Sequence, residues 1–395
     1  MEFKEFYRSL EVDTSLADEL NFNPYYLKIS SGLTDPIIIE GEEYINLASN
    51  NYLGLAFDDR VKKAMVEGIT KFGASMCGTP IATGYIDIYK TLEEKFSEFI
   101  NVEDTIIFPS GYQANCALFP VIAKKDDLII MDHFAHASLI HGIRSTGCKF
   151  RPFLHNNMAH LEKLLKSSNK YSNIFVVTES VFSTEGSIAP FDEIVNLCQK
   201  YKAIPVIDDS HGIGVIGKTG RGILEEKNIK DYFGIYTTSL GKALAGAGGV
   251  ISGKKELIRA LRYSCSGLIY STALPPPVIQ GLLKVLEILK EESVQILKKM
   301  WKYKKLISKT LKEVGFKLAE GSAPITSIIG GDTKTTVEIT KALFKGKILT
   351  TPFVPPSVPN NSGKIRIIAG ANLKKSSIDQ ALDFFKTELR KQFIK

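Results

Sequence analysis

Seven short apolar runs, separated from one another by helical patterns, constrain the fold of this chain more than any other feature. Strands that alternate with helices form mostly parallel sheets with helices on both faces. The sequence therefore predicts an α/β fold with a mostly parallel, seven-stranded sheet. The predicted strands are Thr105–Pro109, Leu128–Asp132, Phe150–His155, Ile174–Glu179, Ile204–Asp208, Phe233–Thr237 and Gly249–Gly253.

The segments on either side of this region divide the chain into three predicted parts. Residues 1–50 are predicted to form a helical arm and a hairpin, residues 51–280 a large domain, and residues 281–395 a smaller α+β domain. Three prolines end the alternating region, and a long helix at about 278–314 is expected to link the two domains. The smaller domain is predicted to hold strands at 325–329, 348–353 and 364–368 and a closing helix from about 376.

Composition and charge exclude several classes of protein. The chain has 395 residues, of which 44% are hydrophobic and 24% charged, as in ordinary globular domains. No apolar run approaches the roughly 20 residues of a membrane helix, and no secretory signal begins the chain, so we expect a cytoplasmic protein without a membrane span. Five cysteines without CxxC spacing indicate reduced thiols and no metal site. The net charge of +7 includes no long Lys/Arg block, which favours a solvated surface over a nucleic-acid site.

The residues with the clearest chemistry lie at the end of the fifth predicted strand and beyond it. This strand ends in Asp208 and Asp209, His211 follows, and Lys242 lies in a Ser-Leu-Gly-Lys segment further along. An acid at the end of a buried strand can keep a ring nitrogen protonated, and a lysine among small residues can form an imine with an aldehyde. Together these residues predict a site for pyridoxal 5'-phosphate (PLP).

The same stretch offers an alternative from another class, a nucleotide-binding loop. Gly212–Thr219 matches G-x-x-x-x-G-K-[ST] letter for letter. That motif needs a strand directly before it and a helix that begins at its Gly-Lys-Thr. Here Gly-Arg-Gly follows Thr219, which disfavours a helix, and the strand already ends at Asp208. An NTPase is therefore the less favoured alternative.

Other predicted strand ends carry polar groups that suit the same cofactor, and ligands bind at this edge of such sheets. Gly111 and Tyr112 follow Ser110 at the start of a predicted helix, where free N–H groups can bind a phosphate. His136 can lie flat on an aromatic ring, and the hydroxyl of Ser183 can reach a phenolic oxygen. Each residue also has an ordinary interpretation as a helix cap or a turn, but together they favour a cofactor site.

Longer motifs give the chain a family resemblance that spans about Asn46 to Arg390. They are NLASNNYLGL, SGYQAN, HASL, TESVFSTEG, IDDSHGIGVIGKTGRG, TSLGKALAG, YSTALPP and GKIRI. In these motifs the chain resembles the α-oxoamine synthases, PLP-dependent enzymes of fold type I. The resemblance implies an acyltransferase that condenses an amino acid with an acyl-CoA thioester and releases carbon dioxide and CoA. It also implies that the Gly-Lys-Thr segment is a loop that binds no nucleotide.

The resemblance implies a role for each matching residue and a homodimer with shared active sites. Lys242 would hold the cofactor and remove the α-proton of the amino acid, and Asp208 would pair with the ring nitrogen. The remaining roles are His211 and Ser183 at the 3-oxygen of the ring, His136 stacked on the ring, Gly111, Tyr112 and Ser239 at the phosphate, Thr272 at the phosphate of a neighbouring subunit, Arg366 at the amino-acid carboxylate, and Asn51 and Ser357 near the substrate.

The resemblance leaves the two substrates open. NLASNNYLGL and IYSTALPP favour the members that join L-alanine to a pimeloyl thioester of CoA or of a carrier protein, whereas TSLGKALAG favours the glycine-using members. FAHASL and FLHNN resemble the long-chain members. Three departures concern the expected substrate pockets rather than the cofactor: Tyr89 replaces a frequent His, Val354 replaces a frequent Arg, and Thr79–Thr83 is unusual.

Overall fold

The computed structural model describes residues 3–10 and 14–394, which form thirteen β-strands and fifteen α-helices. The strands are β1 (Ile37–Ile39), β2 (Glu42–Asn46), β3 (Asp104–Phe108), β4 (Leu128–Asp132), β5 (Lys149–Phe153), β6 (Ile174–Glu179), β7 (Ile204–Asp208), β8 (Ile235–Ser239), β9 (Gly249–Gly253), β10 (Thr326–Gly331), β11 (Ile348–Leu349), β12 (Thr351–Phe353) and β13 (Gly363–Ile367). The helices are α1 (Phe3–Arg8), α2 (Ser15–Leu20), α3 (Asp59–Phe72), α4 (Asp87–Ile100), α5 (Gly111–Ile122), α6 (Ala137–Ser145), α7 (Met158–Lys166), α8 (Phe191–Tyr201), α9 (Ile223–Glu226), α10 (Lys255–Ser264), α11 (Ser266–Ile269), α12 (Pro276–Glu313), α13 (Thr333–Lys345), α14 (Lys375–Phe384) and α15 (Arg390–Phe393).

A seven-stranded sheet in the order β3-β9-β8-β7-β6-β4-β5 forms the centre of the large domain. Only the pairs that include β9 are antiparallel, so the predicted mostly parallel sheet is confirmed. In this register Glu179 lies opposite Asp208, and Asp208 lies opposite Thr237. The ends of β6, β7 and β8 therefore place a row of polar side chains at one edge of the sheet.

Two of the seven strands predicted for the large sheet differ from the observed ones by about two residues. The run predicted at Phe233–Thr237 begins at Ile235, because Tyr232 turns inward and holds the preceding turn. Its hydroxyl donates to backbone carbonyl oxygens of β7 and β8 at 2.8 and 3.3 Å. The strand β5 ends two residues before its predicted end at His155. This leaves His155 outside the sheet, where its ring can contact neighbouring loops.

Helices cover both faces of the large sheet because alternate residues of its buried strands point to opposite sides. Ile207 belongs to a core that α3, α4, α8 and α12 complete. Val206 belongs to a second core, on the opposite face, that α5, α6 and α10 complete. The same alternation places Asp208 on the α5 side of the sheet and Asp209 on the other side.

The helix α12, with 38 residues, joins the large domain to the C-terminal elements. Its side chains from Ile279 to Met300 pack in the large-domain core, whereas those from Tyr303 to Leu311 pack in a separate C-terminal core. That second core surrounds an antiparallel sheet of order β10-β13-β12 and also includes Ile45 of the N-terminal hairpin. The hairpin therefore packs with the C-terminal part, and the domain boundaries at 50 and 280 stay a prediction.

The predicted hairpin and linking helix both have counterparts in the structure. The hairpin consists of β1 and β2, with Glu40 and Gly41 in the left-handed conformation at its turn (φ of 51° and 82°). The helix α12 begins at Pro276, where a proline needs no intrahelical N–H partner. None of the described helices has an apolar stretch that is long enough to cross a lipid bilayer.

Candidate active site

Asp208 lies at the centre of a buried hydrogen-bond network at the end of β7. Its carboxylate accepts the backbone N–H of Ser210 at 2.9 Å and the Nδ2–H of Asn115 at 2.6 Å. The Oδ1 of Asn115 in turn accepts the hydroxyl of Thr237 at 2.7 Å. Because Asp208 is only 4% exposed, these donors replace the water that a carboxylate otherwise requires. The network fixes the carboxylate against α5.

Asp209 makes a separate set of contacts on the opposite face of the sheet. Its Oδ2 accepts the hydroxyl of Tyr236 at 2.8 Å and the N–H of Ile223 at 3.1 Å. Burial raises the pKa of this carboxyl to about 7. Asp209 therefore anchors the loop between Gly212 and α9, while Asp208 remains available to the cleft.

Lys242 lies in a tight loop between β8 and β9. The N–H of Leu240 donates to Gly248 at 2.9 Å, and the N–H of Gly246 donates to Leu240 at 3.0 Å. Burial lowers the pKa of Lys242, and the nearby carboxyl groups of Asp208 and Glu179 act in the opposite direction. A lowered pKa increases the fraction of free amine, which is the nucleophilic form of lysine.

Glu179 is a second buried carboxyl group in the cleft, and the sequence analysis did not identify it. It ends β6, directly opposite Asp208 in register. Burial, and after it the charge of Asp208, raises the pKa of Glu179 well above its usual range. Burial and the adjacent Asp208 both disfavour a negative charge on Glu179, so Glu179 keeps its proton.

The buried imidazole of His211 has a fixed tautomer. The hydroxyl of Tyr52 lies 2.8 Å from Nδ1 of His211 and has no other acceptor among the described residues, so this buried hydroxyl donates its proton to Nδ1. Burial, followed by the charges of Lys242 and Arg366, lowers the pKa of His211 well below its usual range. The ring is therefore neutral, and its Nε2–H is the donor available to a ligand.

The N-terminus of α5 offers a site for a phosphate group. Ser110 caps the helix, and its hydroxyl accepts the N–H of Gln113 at 3.0 Å. The N–H groups of Gly111 and Tyr112 lie in the first turn, where no intrahelical acceptor exists. A Cβ on Gly111 would lie 2.8 Å from the Cβ of Ser239, so only glycine allows this close approach.

Arg366 brings a buried positive charge to the same cleft from β13. It is 7% exposed, its Nη1 donates to the backbone oxygen of Ser183 at 3.3 Å, and its Nε has no hydrogen-bond partner among the described residues. After burial, the charge of Arg366 contributes to the lowered pKa of both Lys242 and His211, so the guanidinium acts on the same cleft. A buried guanidinium with a free donor is suited to a carboxylate ligand.

His136 and Asn51 occupy two further positions around the cleft. His136 caps α6, and its Nδ1 accepts the N–H of Ser138 at 3.2 Å. The hydroxyl of Ser138 also accepts from Asn115 at 3.0 Å, which ties this turn to the Asp208 network. Asn51 is buried, and its Nδ2 has no partner in the described part of the chain. That amide is a second donor available to a ligand.

Two predicted site residues are not joined to this cluster within one chain. Thr272 and Ser357 are both exposed, and within residues 3–10 and 14–394 no hydrogen bond connects either side chain to the residues above. Ser357 closes a turn through its N–H, which donates to Val354 at 2.9 Å. The roles of both residues stay predictions, because they require a neighbouring subunit or a bound substrate.

The loop that matches the nucleotide-binding pattern donates hydrogen bonds to two glutamates of α9. The N–H and hydroxyl of Thr219 donate to Glu225 at 3.0 and 2.7 Å, and the N–H of Gly217 donates to Glu226 at 2.9 Å. No helix begins at its Gly-Lys-Thr, since the next helix, α9, starts at Ile223. The donors that would hold a phosphate in a nucleotide-binding loop are therefore already engaged.

The residues at the cleft fit PLP in three respects. A phosphate can bind at the N-terminus of α5, where a Cβ would fill the space beside Ser239. Asp208 supplies a fixed carboxylate for a ring nitrogen, and His211 supplies a donor for a ring oxygen. Lys242 supplies an amine with a lowered pKa. Fold and site together define a PLP-dependent transferase of fold type I.

Comparisons with known proteins agree with this class. The pattern of the family "Aminotransferase class I and II" matches residues 42–385. The 8-amino-7-oxononanoate synthase of Thermoanaerobacter pseudethanolicus is 37% identical over 349 residues, which are 88% of each chain. Serine palmitoyltransferase of Sphingomonas wittichii superposes with a TM-score of 0.92 at 26% identity, over 99% of this chain and 98% of that one. A serine palmitoyltransferase structure with PLP as the internal aldimine gives 0.93 at 25% identity, over 99% of both.

The chain belongs to the class I and II aminotransferase family and, within it, to the α-oxoamine synthases. It is an enzyme that depends on PLP, as the resemblance implied. The residues that the sequence missed are Glu179, Asn115 and Tyr52. Glu179 could have been found by the argument that identified Asp208, since both end buried strands, but the partners of Asn115 and Tyr52 lie far along the chain.

We expect Asp208→Asn to slow removal of the α-proton of the amino acid about a hundredfold to a thousandfold, because an amide cannot stabilise a charged ring nitrogen in a dry site. Asp209→Asn is the matched control, and it should slow this step much less because its side chain faces the loop at Ile223. The measurement is exchange of the α-proton for deuterium without an acyl donor. Equal rates for wild type and Asp208→Asn would show that this strand end does not hold the ring nitrogen.

Proposed function

We propose that this enzyme condenses an amino acid with an acyl thioester, releases carbon dioxide and the thiol, and forms an α-amino ketone. The observation that carries the proposal is the buried Arg366, whose Nε is free and whose charge acts on the amine of Lys242. An amino acid bound through its carboxylate to Arg366 has its amine and α-carbon directed toward Lys242. The cleft is thus arranged for chemistry at an α-carbon.

Each residue of the cleft has a defined task in this proposal. PLP, when bound, supplies the electron-withdrawing ring that makes the α-proton of an amino acid acidic. Lys242 holds the cofactor at rest and, as a free amine, accepts the α-proton. The carboxylate of Asp208 keeps the ring nitrogen charged, and the Nε2–H of His211 donates to the ring oxygen together with the hydroxyl of Ser183. His136 would cover one face of the ring and exclude water from it.

The similarity to 8-amino-7-oxononanoate synthases supports L-alanine and a pimeloyl thioester as the substrates. The structural neighbours named serine palmitoyltransferase support a long-chain acyl donor as the alternative. Glycine is the alternative amino acid. Both the CoA ester and the carrier-protein ester are candidate donors. We further propose a cytoplasmic homodimer in which the exposed Thr272 reaches the phosphate bound by the neighbouring subunit.

The substrates can be identified by a matrix of amino acids against acyl-CoA esters, read as free thiol released. We expect turnover with L-alanine and pimeloyl-CoA, and no turnover when a free acid and ATP replace the thioester. The loop at Gly212–Thr219 has its donors engaged and cannot activate an acid. Product from a free acid, ATP and no CoA would contradict the proposal.

Purified protein should be yellow from covalently attached PLP, and Lys242→Ala should lose the attachment that borohydride makes permanent. The physical reason is the lowered pKa of the buried Lys242 amine, which makes it the nucleophile for the aldehyde. The matched control is Lys218→Ala, which removes the lysine of the nucleotide-binding pattern and should keep both colour and attachment. A colourless wild type whose ATP hydrolysis depends on Lys218 would support the NTPase alternative instead.

Arg366→Ala should weaken amino-acid binding far more than PLP binding. A buried, bidentate guanidinium–carboxylate pair loses about 2–5 kcal/mol when one partner is removed. Arg366→Lys keeps the charge but loses the paired donors of the guanidinium, so its effect on amino-acid binding should be intermediate. Titration of the visible spectrum with amino acid and with PLP gives both affinities. An unchanged affinity for the amino acid in Arg366→Ala would assign its carboxylate to another group.

A further inference from the structure

The loop between β6 and α8 lies between the large sheet and the C-terminal sheet. Its tip, Ser183–Ser187, receives four contacts from the C-terminal part of the chain. They are Arg366 Nη1 to the oxygen of Ser183 at 3.3 Å, the hydroxyl of Ser327 to the oxygen of Thr184 at 2.7 Å, Lys364 Nζ to Glu185 Oε2 at 2.6 Å, and the N–H of Ala323 to the oxygen of Gly186 at 2.9 Å. These contacts hold β13, the strand that carries Arg366, against the loop tip.

His155 holds the same loop tip from the large-domain side. Its Nε2 lies 3.0 Å from the hydroxyl of Ser187 and 3.2 Å from Oε1 of Glu185. Its Nδ1 lies 3.0 Å from Oδ1 of Asp132, which is fully buried at the end of β4. The side-chain amide of Asn156 and the rings of Phe134 and Phe182 complete its surroundings.

His155 carries a positive charge at neutral pH. Burial acts against the charged imidazole, but hydrogen bonds to Asp132 and Glu185 raise the pKa of His155 to about 9. Burial also acts against the ionised form of Glu185, but hydrogen bonds from His155 and Lys364 lower its pKa to about 2. Acidic and basic side chains thus alternate from Asp132 through His155 and Glu185 to Lys364. We call these four residues the charge chain.

The two ends of this charge chain reach two parts of the active site. Asp132 also accepts the N–H of Phe134 at 2.8 Å and so holds the turn that leads to His136. Lys364 lies two residues before Arg366 on β13, so both side chains project from the same face of that strand. The charge chain therefore connects the turn that carries His136 with the strand that carries Arg366.

We propose that His155 is a positioning residue for amino-acid binding, because it fixes Glu185 and, through Lys364, the placement of Arg366 in the cleft. The inference rests on the proposed function, in which Arg366 binds the amino-acid carboxylate. It predicts that the charge on His155 affects the affinity for the amino acid far more than the affinity for PLP, since Lys242 and the proposed phosphate contacts at the start of α5 lie on other elements.

The test compares His155→Gln, which keeps a hydrogen-bonding side chain without the charge, and Lys364→Met with wild type. Each should weaken amino-acid binding about tenfold and change PLP affinity and the KM for the acyl donor by less than about twofold. Lys364→Arg should retain wild-type affinity. The double variant should lose no more amino-acid affinity than the more strongly affected of the two single variants, because both changes act through Glu185. Lys200→Met, which breaks the comparable ion pair with Glu162 at 2.7 Å, is the control and should change neither affinity.

A pH series separates positioning from simple loss of stability. The pKa of His155 is raised, so its contribution is complete at neutral pH and is lost as pH rises through about 9. The ratio of amino-acid affinities between wild type and His155→Gln should therefore fall toward one above that pH, since ionisation of the amino acid affects both proteins equally. Equal losses of PLP and amino-acid affinity, or a ratio that does not change with pH, would overturn the inference.

Histidine NMR of the PLP-free protein distinguishes failure of this inference from failure of the proposed function. A resonance that titrates near pH 9, is absent in His155→Gln, and moves toward the ordinary value of about 6.5 in Glu185→Gln supports the charge chain, whatever the substrate is. An ordinary titration of His155 in wild type overturns the inference even if the enzyme condenses its substrates. An enzyme that shows the raised titration but binds no amino acid contradicts both the proposed function and the positioning role of His155.

Discussion

The buried carboxylate of Asp208 is the interaction on which the arrangement of the whole site depends. A carboxylate without water is tolerated only where fixed donors surround it, and here they are the Ser210 N–H and the Asn115 amide. Asn115 cannot rotate, because Thr237 donates to its oxygen and its nitrogen also donates to Ser138. The charge therefore ties β7 and β8 to α5. This fixes the position of the carboxylate relative to the start of α5, where we propose that the phosphate binds.

Besides its histidines, the cleft holds two acidic and two basic side chains, Asp208, Glu179, Lys242 and Arg366. Burial, and after it the charge of Asp208, raises the pKa of Glu179, and burial, together with the charge of Arg366, lowers the pKa of Lys242. The cleft then offers the carboxylate of Asp208 and the guanidinium of Arg366. In the proposed function, each would meet a ligand group of opposite charge, a protonated ring nitrogen and a carboxylate. A PLP–amino-acid pair provides both groups within one ligand.

The parts of the site that sequence could predict are those where one residue follows a recognisable element. The seven apolar runs correctly predicted the large sheet, and with it the position of Asp208 at the end of β7 and of Lys242 in the loop after β8, whereas their roles and the phosphate site stay predictions. The partners were not predictable, because Tyr52 and His211 are 159 positions apart and meet only when the N-terminal loop packs on the sheet. Similarly, β8 begins two residues after the start of its apolar pattern, because a hydrogen bond from the Tyr232 hydroxyl to β7 holds the preceding turn.

The three departures from the family pattern differ in how deeply their side chains are buried and in the contacts that they make. Ile81, within the unusual segment at Thr79–Thr83, is exposed, and Val354 lies on the turn that the N–H of Ser357 closes. Replacements at such positions leave the buried network around Asp208 intact, so selectivity for the acyl chain or the amino acid can change there at little cost in stability. Tyr89 is different, because it is buried beside β3 and its hydroxyl points to the oxygen of Ile107 at 3.5 Å. A histidine there would bring a second ring nitrogen that needs its own partner, whereas tyrosine needs only one.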